Sequence, residues 1–330
     1  MKRRDFMALA GGAAAVWPLG ALAQTPERVK RIGILFGVNG NDPEGQRWLK
    51  RFIQVLRELG WRNGVNVQMD LRWAPDIDRM RKSAQELIAL KPDVIHVTTS
   101  LATAEVLRET TTIPVVFDVV NDPLALGLVK DAKHPGGNAT GFTNIVPDLG
   151  AQWLKLLKEM APRVTHATVM YNPVPGSQLA NRWAQFEAVG GELGIKVEAA
   201  PVRELAEIEK TLRGTGVDPD KGLIVIPDTF FNLARSGLII SLISRQRIVA
   251  IYPFRDFVVA GGLASYAVDI PELQRRSAVY VDRILRGEKP GNLPVEGPNK
   301  FELVINQRAA KLIDLVIPKT VLARATEVLE

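Results

Sequence analysis

The chain has 330 residues, 46% of them hydrophobic and 24% charged, a globular composition long enough for two domains. Its 42 Lys and Arg against 36 Asp and Glu leave a net charge of +6, interspersed rather than gathered in blocks, which is too mild to argue for a nucleic-acid partner. The absence of cysteine excludes disulfides, thiol catalysis and Cys-based metal sites.

The chain opens with Lys2-Arg3-Arg4-Asp5-Phe6-Met7, an apolar stretch from Ala8 to Leu22, and Ala21-Leu22-Ala23. A charged start, an apolar middle and small residues at −3 and −1 of a cleavage point before Gln24 predict an export signal over residues 1–23 and a periplasmic protein. The arginine pair followed by Asp and Phe adds a twin-arginine character. The apolar middle, about 15 residues broken by Gly and Pro18, falls short of the ~20 that a membrane span requires. With no Cys after the cleavage point, a lipoprotein anchor is excluded. Removal of the signal leaves 307 residues and a net charge of +4.

From Arg31 onward, short β-branched runs alternate with longer amphipathic stretches, the pattern of a parallel sheet covered by helices. Strands are predicted at Ile32–Phe36, Val65–Trp73, Val94–Val97, Val115–Val119 and, more weakly, Thr140–Thr143. Helices fall between them at Glu44–Leu59, Ile77–Leu90 and Leu101–Glu109. After a helix over Gln152–Met160 the pattern repeats. Strands are expected near Ala167–Tyr171, Lys196–Ala199, Leu223–Ile226 and Val249–Ile251. The helices between them are expected at about Gln178–Leu193, Leu205–Leu212 and Leu233–Ser244, lengths suited to right-handed crossovers. Two late strands, Leu263–Val268 and Phe301–Ile305, flank a helix near Leu273–Leu285 and a Gly/Pro-rich segment. The fold class is therefore α/β, with two doubly wound Rossmann-like lobes joined by hinge strands. Residues 28–145 with about 269–300 are expected to form one lobe, and 146–268 with about 301–330 the other.

Doubly wound sheets bind ligands beyond the carboxyl ends of their strands. The first strand is followed by Asn39 and Asn41, with Asp42-Pro43 read as a helix cap. The third is followed by Thr98-Thr99-Ser100 directly before a helix, where hydroxyls and free N–H groups suit a carboxylate or phosphate; Thr99 and Ser100 are the candidates. Asp118 or Asn121 after the fourth strand could take an amine or hydroxyl. In the second half the corresponding exits are Tyr171 with Asn172, Asp228 with Thr229, and Tyr252 with Phe254. Aromatics beside a lone acid could receive an apolar ligand carrying an ammonium. Phe230, Phe231 and Phe254 also suit a core, and Asp228 a helix cap.

Chemistry of other kinds finds no footing. The three histidines, His96, His134 and His166, are scattered and read as structural. No HExxH, P-loop, GxSxG or strand-following GxGxxG is present, so neither a metal, a cofactor nor a catalytic residue is expected. Gly136-Gly137-Asn138-Ala139-Thr140-Gly141 precedes a strand instead of opening a helix and reads as a turn.

Several stretches resemble a known family. They are Leu56-Arg57-Glu58-Leu59-Gly60-Trp61; Ile113-Pro114-Val115-Val116-Phe117 continuing to Asp122-Pro123 and Gly127-Leu128-Val129; His134-Pro135-Gly136-Gly137-Asn138-Ala139-Thr140-Gly141; and Tyr171-Asn172-Pro173. Further on come Gly261-Gly262-Leu263-Ala264-Ser265-Tyr266, Tyr280 to Gly287, and Leu293-Pro294-Val295-Glu296 through Phe301 to Asn306. In this order they resemble the ABC-transporter substrate-binding proteins of the tryptophan/tyrosine-binding type, over nearly the full length. The resemblance implies a two-lobed periplasmic binding fold, a small ligand held between lobes, and delivery to a permease and ATPase complex in the inner membrane. The chain departs from the usual pattern at Thr98-Thr99-Ser100-Leu101-Ala102, where Gly and Pro are common, and at Ala267, which stands for Gly. The expected role is an exported, monomeric solute-binding protein for an amino acid or other small carboxylate. Thr99 and Ser100 would bind the carboxylate, Asp118 or Asp228 the amine, and Tyr171, Tyr252 and Phe254 the ligand body. The alternatives are an exported enzyme on the same fold and a ligand-sensing partner of a membrane receptor.

Overall fold

The computed structural model describes residues 28–144, 146, 148–173, 183–215, 218–227 and 236–330. The expected export signal and the pair Asp228 and Thr229 lie outside the described residues.

The first lobe is a wholly parallel five-stranded sheet. Its strands are β1 (Lys30–Phe36), β2 (Val67–Trp73), β3 (Val94–Thr98), β4 (Val115–Val120) and β5 (Ala139–Thr143), in the order β2-β1-β3-β4-β5. Helices cover both faces, so β1, β3 and β4 read as near-continuous apolar runs. Helix α1 (Pro43–Glu58) starts where the Asp42 carboxylate accepts from the Glu44 N–H and Pro43 presets the first turn. It buries Phe52, Val55 and Leu56. Helices α2 (Ile77–Ala89) and α3 (Ser100–Glu109) pack together on the other face, over a core that includes Leu87, Val97 and Val106. At Gly141 the backbone has φ 152°, and a Cβ there would lie 1.9 Å from the Phe117 carbonyl oxygen. Only glycine lets β5 approach β4 this closely.

The second lobe is a seven-stranded sheet, β12-β11-β10-β9-β8-β6-β7, parallel except between β10 and β11. Its strands are β6 (His166–Tyr171), β7 (Lys196–Pro201), β8 (Lys221–Val225), β9 (Val249–Tyr252), β10 (Ala264–Val268), β11 (Phe301–Asn306) and β12 (Glu327–Leu329). Helices α4 (Leu149–Met160), α5 (Trp183–Glu192), α6 (Leu205–Thr215) and α7 (Ser236–Arg245) accompany them, with short helices at Arg255–Val259 (α8), Gln307–Leu312 and Lys319–Leu322. Leu154, Leu157, Ile224, Ile240 and Ile251 belong to its core.

After β10 the chain leaves this sheet and forms helix α9 (Ile270–Leu285), which packs on α1 and β4 of the first lobe. The Asp269 carboxylate caps it by accepting from the Glu272 N–H at 2.9 Å. Asp282 on the same helix accepts from the Trp61 indole N–H and from Arg286, each at 2.7 Å. The segment after α9 stays on the first lobe, where the Glu296 N–H donates to the Gly141 carbonyl at 3.1 Å and Leu293 is buried. Phe301 then opens β11 in the other sheet. Among the described residues no helix is long and apolar enough to cross a membrane.

Candidate functional site

The carboxyl ends of β1, β3 and β4 meet in a tight polar knot. The Gly37 N–H donates to the Thr98 hydroxyl at 3.1 Å, the Thr99 N–H to the Asp118 carbonyl at 3.0 Å, and the Asn121 N–H to the Ser100 hydroxyl at 3.1 Å. Thr99 begins helix α3 at φ 76°, ψ 148°, a conformation that a side chain rarely adopts. Val119, on the next strand, is also left-handed, at φ 53°. Two strained non-glycine residues side by side at strand ends are the kind of distortion that clusters where ligands bind. The Thr99 hydroxyl is sealed from solvent and has no hydrogen-bond partner. Glycine at 37 makes the space for it, since a Cβ there would sit 2.2 Å from the Thr99 Oγ1.

Asn39, Asn41 and Asn121 are exposed around this knot; the Asn39 side-chain oxygen accepts from the Asn41 N–H at 3.0 Å. Thr99 and Ser100 are half-buried. In the second lobe, Tyr171 and Asn172 close β6, and Phe254 follows β9 as the residue before α8. All three are half-buried, and β8 runs between the two strand ends.

Two expected site residues are placed differently. Asp118 is fully buried, and its carboxylate turns to helix α9, accepting from the Ser277 hydroxyl at 2.8 Å. His96 Nε2 lies 3.6 Å from the same oxygen and 3.1 Å from the Gln274 side-chain oxygen, with its ring stacked on Phe52. Burial pushes the Asp118 carboxyl up to about 7, against the Ser277 hydrogen bond, and pushes the His96 imidazole down to about 4. This carboxylate has no open face for an amine. Tyr252 is likewise interior: its ring stacks on Phe257 at 5.5 Å, and a Cβ on Gly262 would meet it at 2.7 Å. It belongs to the core cluster against which Phe254 packs.

Sequence reasoning missed two polar groups near the strand ends. Asn144, directly after β5, has a buried side-chain oxygen without a partner, and so does Asp256 in α8. Burial pushes the Asp256 carboxyl up to about 6, with help from Glu44 and Asp42. An Asn after a strand carries a weak signal that position alone could have supplied; Asp256 carries none, because the charges facing it come from more than 200 residues earlier. Among the described residues no cluster of three or more His, Asp or Glu could hold a metal.

A family model described as ABC transporter substrate binding protein matches residues 41–329. A tyrosine-binding protein of Clostridioides difficile (strain R20291) is 22% identical over 293 residues, covering 88% of this chain and 82% of the relative. A conserved domain protein from Vibrio cholerae superposes with a TM-score of 0.77 at 25% identity, covering 91% of this chain and 100% of its own. The ABC domain in complex with L-Trp from Streptococcus pneumonia superposes with a TM-score of 0.76 at 26% identity, covering 91% and 99%. The family is one of substrate-binding proteins rather than enzymes, and the two-lobed α/β architecture is shared with the superposed structures. With a family match running through both lobes, the chain belongs to the ABC transporter substrate binding protein family.

Proposed function

We propose that the protein is an exported solute-binding protein that captures a small amino acid or related carboxylate between its lobes and delivers it to an ABC permease and ATPase. Residues 1–23 would be the export signal, with its arginine pair, and the periplasm the place of action. The lobes would divide at about 145, 268 and 300, where the chain passes between the sheets, and the protein would work as a monomer.

The observation that supports this reading is the strained helix start at Thr99 and Ser100, both half-buried, beside the exposed Asn39, Asn41 and Asn121. Free N–H groups and a hydroxyl at a helix start suit a carboxylate. Names of two relatives, one tyrosine-binding and one in complex with L-Trp, support an amino acid. Tyr171 and Phe254 would flank the ligand body, Asn39, Asn41, Asn121, Asn172 and Thr229 would supply polar contacts, and Asp228 would take the amine. Ligand contacts from both lobes stabilise the closed form that the permease recognises.

Thermal unfolding against a panel of amino acids, small carboxylates, nucleosides and sugars at about 1 mM tests this. A ligand of Kd near 1 μM adds roughly 4 kcal/mol and raises the midpoint by several degrees. We expect an amino acid to give the shift. A shift from a sugar or nucleoside alone would overturn the ligand class.

A further inference from the structure

Away from the Thr99 knot, the two lobes are joined by charge. Glu44 and Arg47 sit in the first two turns of α1, anchored in the first lobe by Phe52 and Leu56 below them. Arg255, at the start of α8, and Glu302 and Glu327, on β11 and β12, belong to the second. Arg255 makes a two-pronged pair with Glu327 at 2.7 and 2.8 Å and extends a third bond to Glu44 at 2.8 Å. Arg47 reaches back to Glu302 at 2.6 Å while holding Glu44 at 3.1 Å. Five side chains thus form one chain of alternating charge, Glu327, Arg255, Glu44, Arg47 and Glu302, crossing between lobes at two links.

Three of the five are sheltered, Glu302 at 10%, Glu44 at 16% and Arg255 at 24% side-chain exposure, while Arg47 and Glu327 are 37% and 35% exposed. Hydrogen bonding to Glu327 holds the Arg255 guanidinium above its ordinary range, and the same bond holds the Glu327 carboxyl below its own. Isolated exposed pairs contribute little, but a sheltered network with a two-pronged arginine is the case in which ion pairs count. Both crossing links lie where helices start after strand ends or where β11 enters its sheet, so they stand on the ligand side of the lobes. Separation of the starts of α1 and α8 would have to break the Arg255–Glu44 link.

We propose that this network is a clasp that biases the ligand-free protein toward closure and so raises its affinity for ligand. The inference rests on the two-lobe capture reading above. Its consequence is a population shift: a ligand that needs the closed form binds more weakly in proportion as that form is depleted.

The chain has no cysteine, so spin labels placed by Lys82→Cys in the first lobe and Lys210→Cys in the second, both exposed positions, report the distance between lobes without interference. In ligand-free protein, Arg255→Met and Glu44→Gln should each lengthen or broaden that distance. Salt at 0.5 M should do the same to the parent protein and have a smaller effect on Arg255→Met, where only the Arg47–Glu302 link remains to be screened. Arg247→Met, which breaks the exposed Arg247–Asp314 pair inside the second lobe, should leave the distance unchanged. The dissociation constant for whichever ligand the panel identifies should rise roughly three- to tenfold in Arg255→Met. Unchanged distances in both clasp variants overturn the clasp even if ligand binds normally. A parent protein that binds nothing in the panel overturns the capture reading instead, and the distances still decide the clasp. Thermal unfolding of each variant separates loss of fold from loss of closure.

Discussion

Thr99 and Asp118 occupy neighbouring strand ends, and each is placed at an energetic cost. Thr99 holds φ 76° with a full side chain, a conformation worth of order 1–3 kcal/mol in strain. Comparison of Thr99→Gly with Thr99→Ala isolates that strain, since both remove the hydroxyl and only glycine tolerates the backbone. The glycine variant should unfold in urea with about 1 kcal/mol more stability than the alanine variant, and both should bind ligand more weakly than the parent. Equal stability would show that the backbone at 99 relaxes once the side chain is cut. Asp118 carries a different cost. Its folded pKa of about 7 stands above the ordinary 3.8, so the folded state binds the proton more tightly. Its contribution is fully present below pH 4 and is lost as pH rises to 7, at most roughly 4 kcal/mol. His96 runs the other way, losing stability as pH falls from 6.5 toward 4. Asp118→Asn removes the first term alone, so its stability relative to the parent should be greater at pH 8 than at pH 5. Urea unfolding at the two values measures this, and a difference that does not change with pH would contradict a buried, proton-holding Asp118.

At the scale of elements, much of the architecture is legible in the sequence. The alternation of apolar runs and amphipathic stretches predicts β1 to β11 within a residue or two, because interior strands of such sheets are apolar runs and their crossover helices need one apolar stripe. The caps Asp42-Pro43 and Asp269-Ile270-Pro271 also announce themselves, the first in the reading of the loop before α1 and the second only in the structure. Helices α8, Gln307–Leu312 and Lys319–Leu322 and strand β12 went unread, since runs of three to six residues contain too little periodicity to register. The site was legible as a set of strand exits and no further. Thr99 and Ser100 stand out because hydroxyls before a helix have few uses. Asp118 stands out for the same positional reason, but a strand covered on both faces gives no alternation to reveal which way a side chain turns, and this one turns to α9. Nothing in the order of residues could show that Gly37 clears room for the Thr99 hydroxyl, or that Glu44 meets Arg255 across a separation of 211 residues.

At the scale of the molecule, two sheets with separate cores are connected by short passages, and α9 is the piece that belongs by chain order between strands of one lobe and by packing to the other. Most of each core stays within its own sheet. The polar knot at Thr99 and the ionic links around Glu44 and Arg255 both lie at strand ends, and the ionic links reach between the lobes. On the reading proposed above, the charges would favour closure and a ligand at the knot would set selectivity. Isothermal titration of the purified protein with L-tryptophan, L-tyrosine and a contrasting sugar such as glucose tests this account most directly. It predicts one-to-one binding of an amino acid with a dissociation constant in the micromolar range, weakened at least tenfold by Ser100→Ala and absent for the sugar; sugar binding without amino-acid binding, or amino-acid binding indifferent to Ser100, would contradict it.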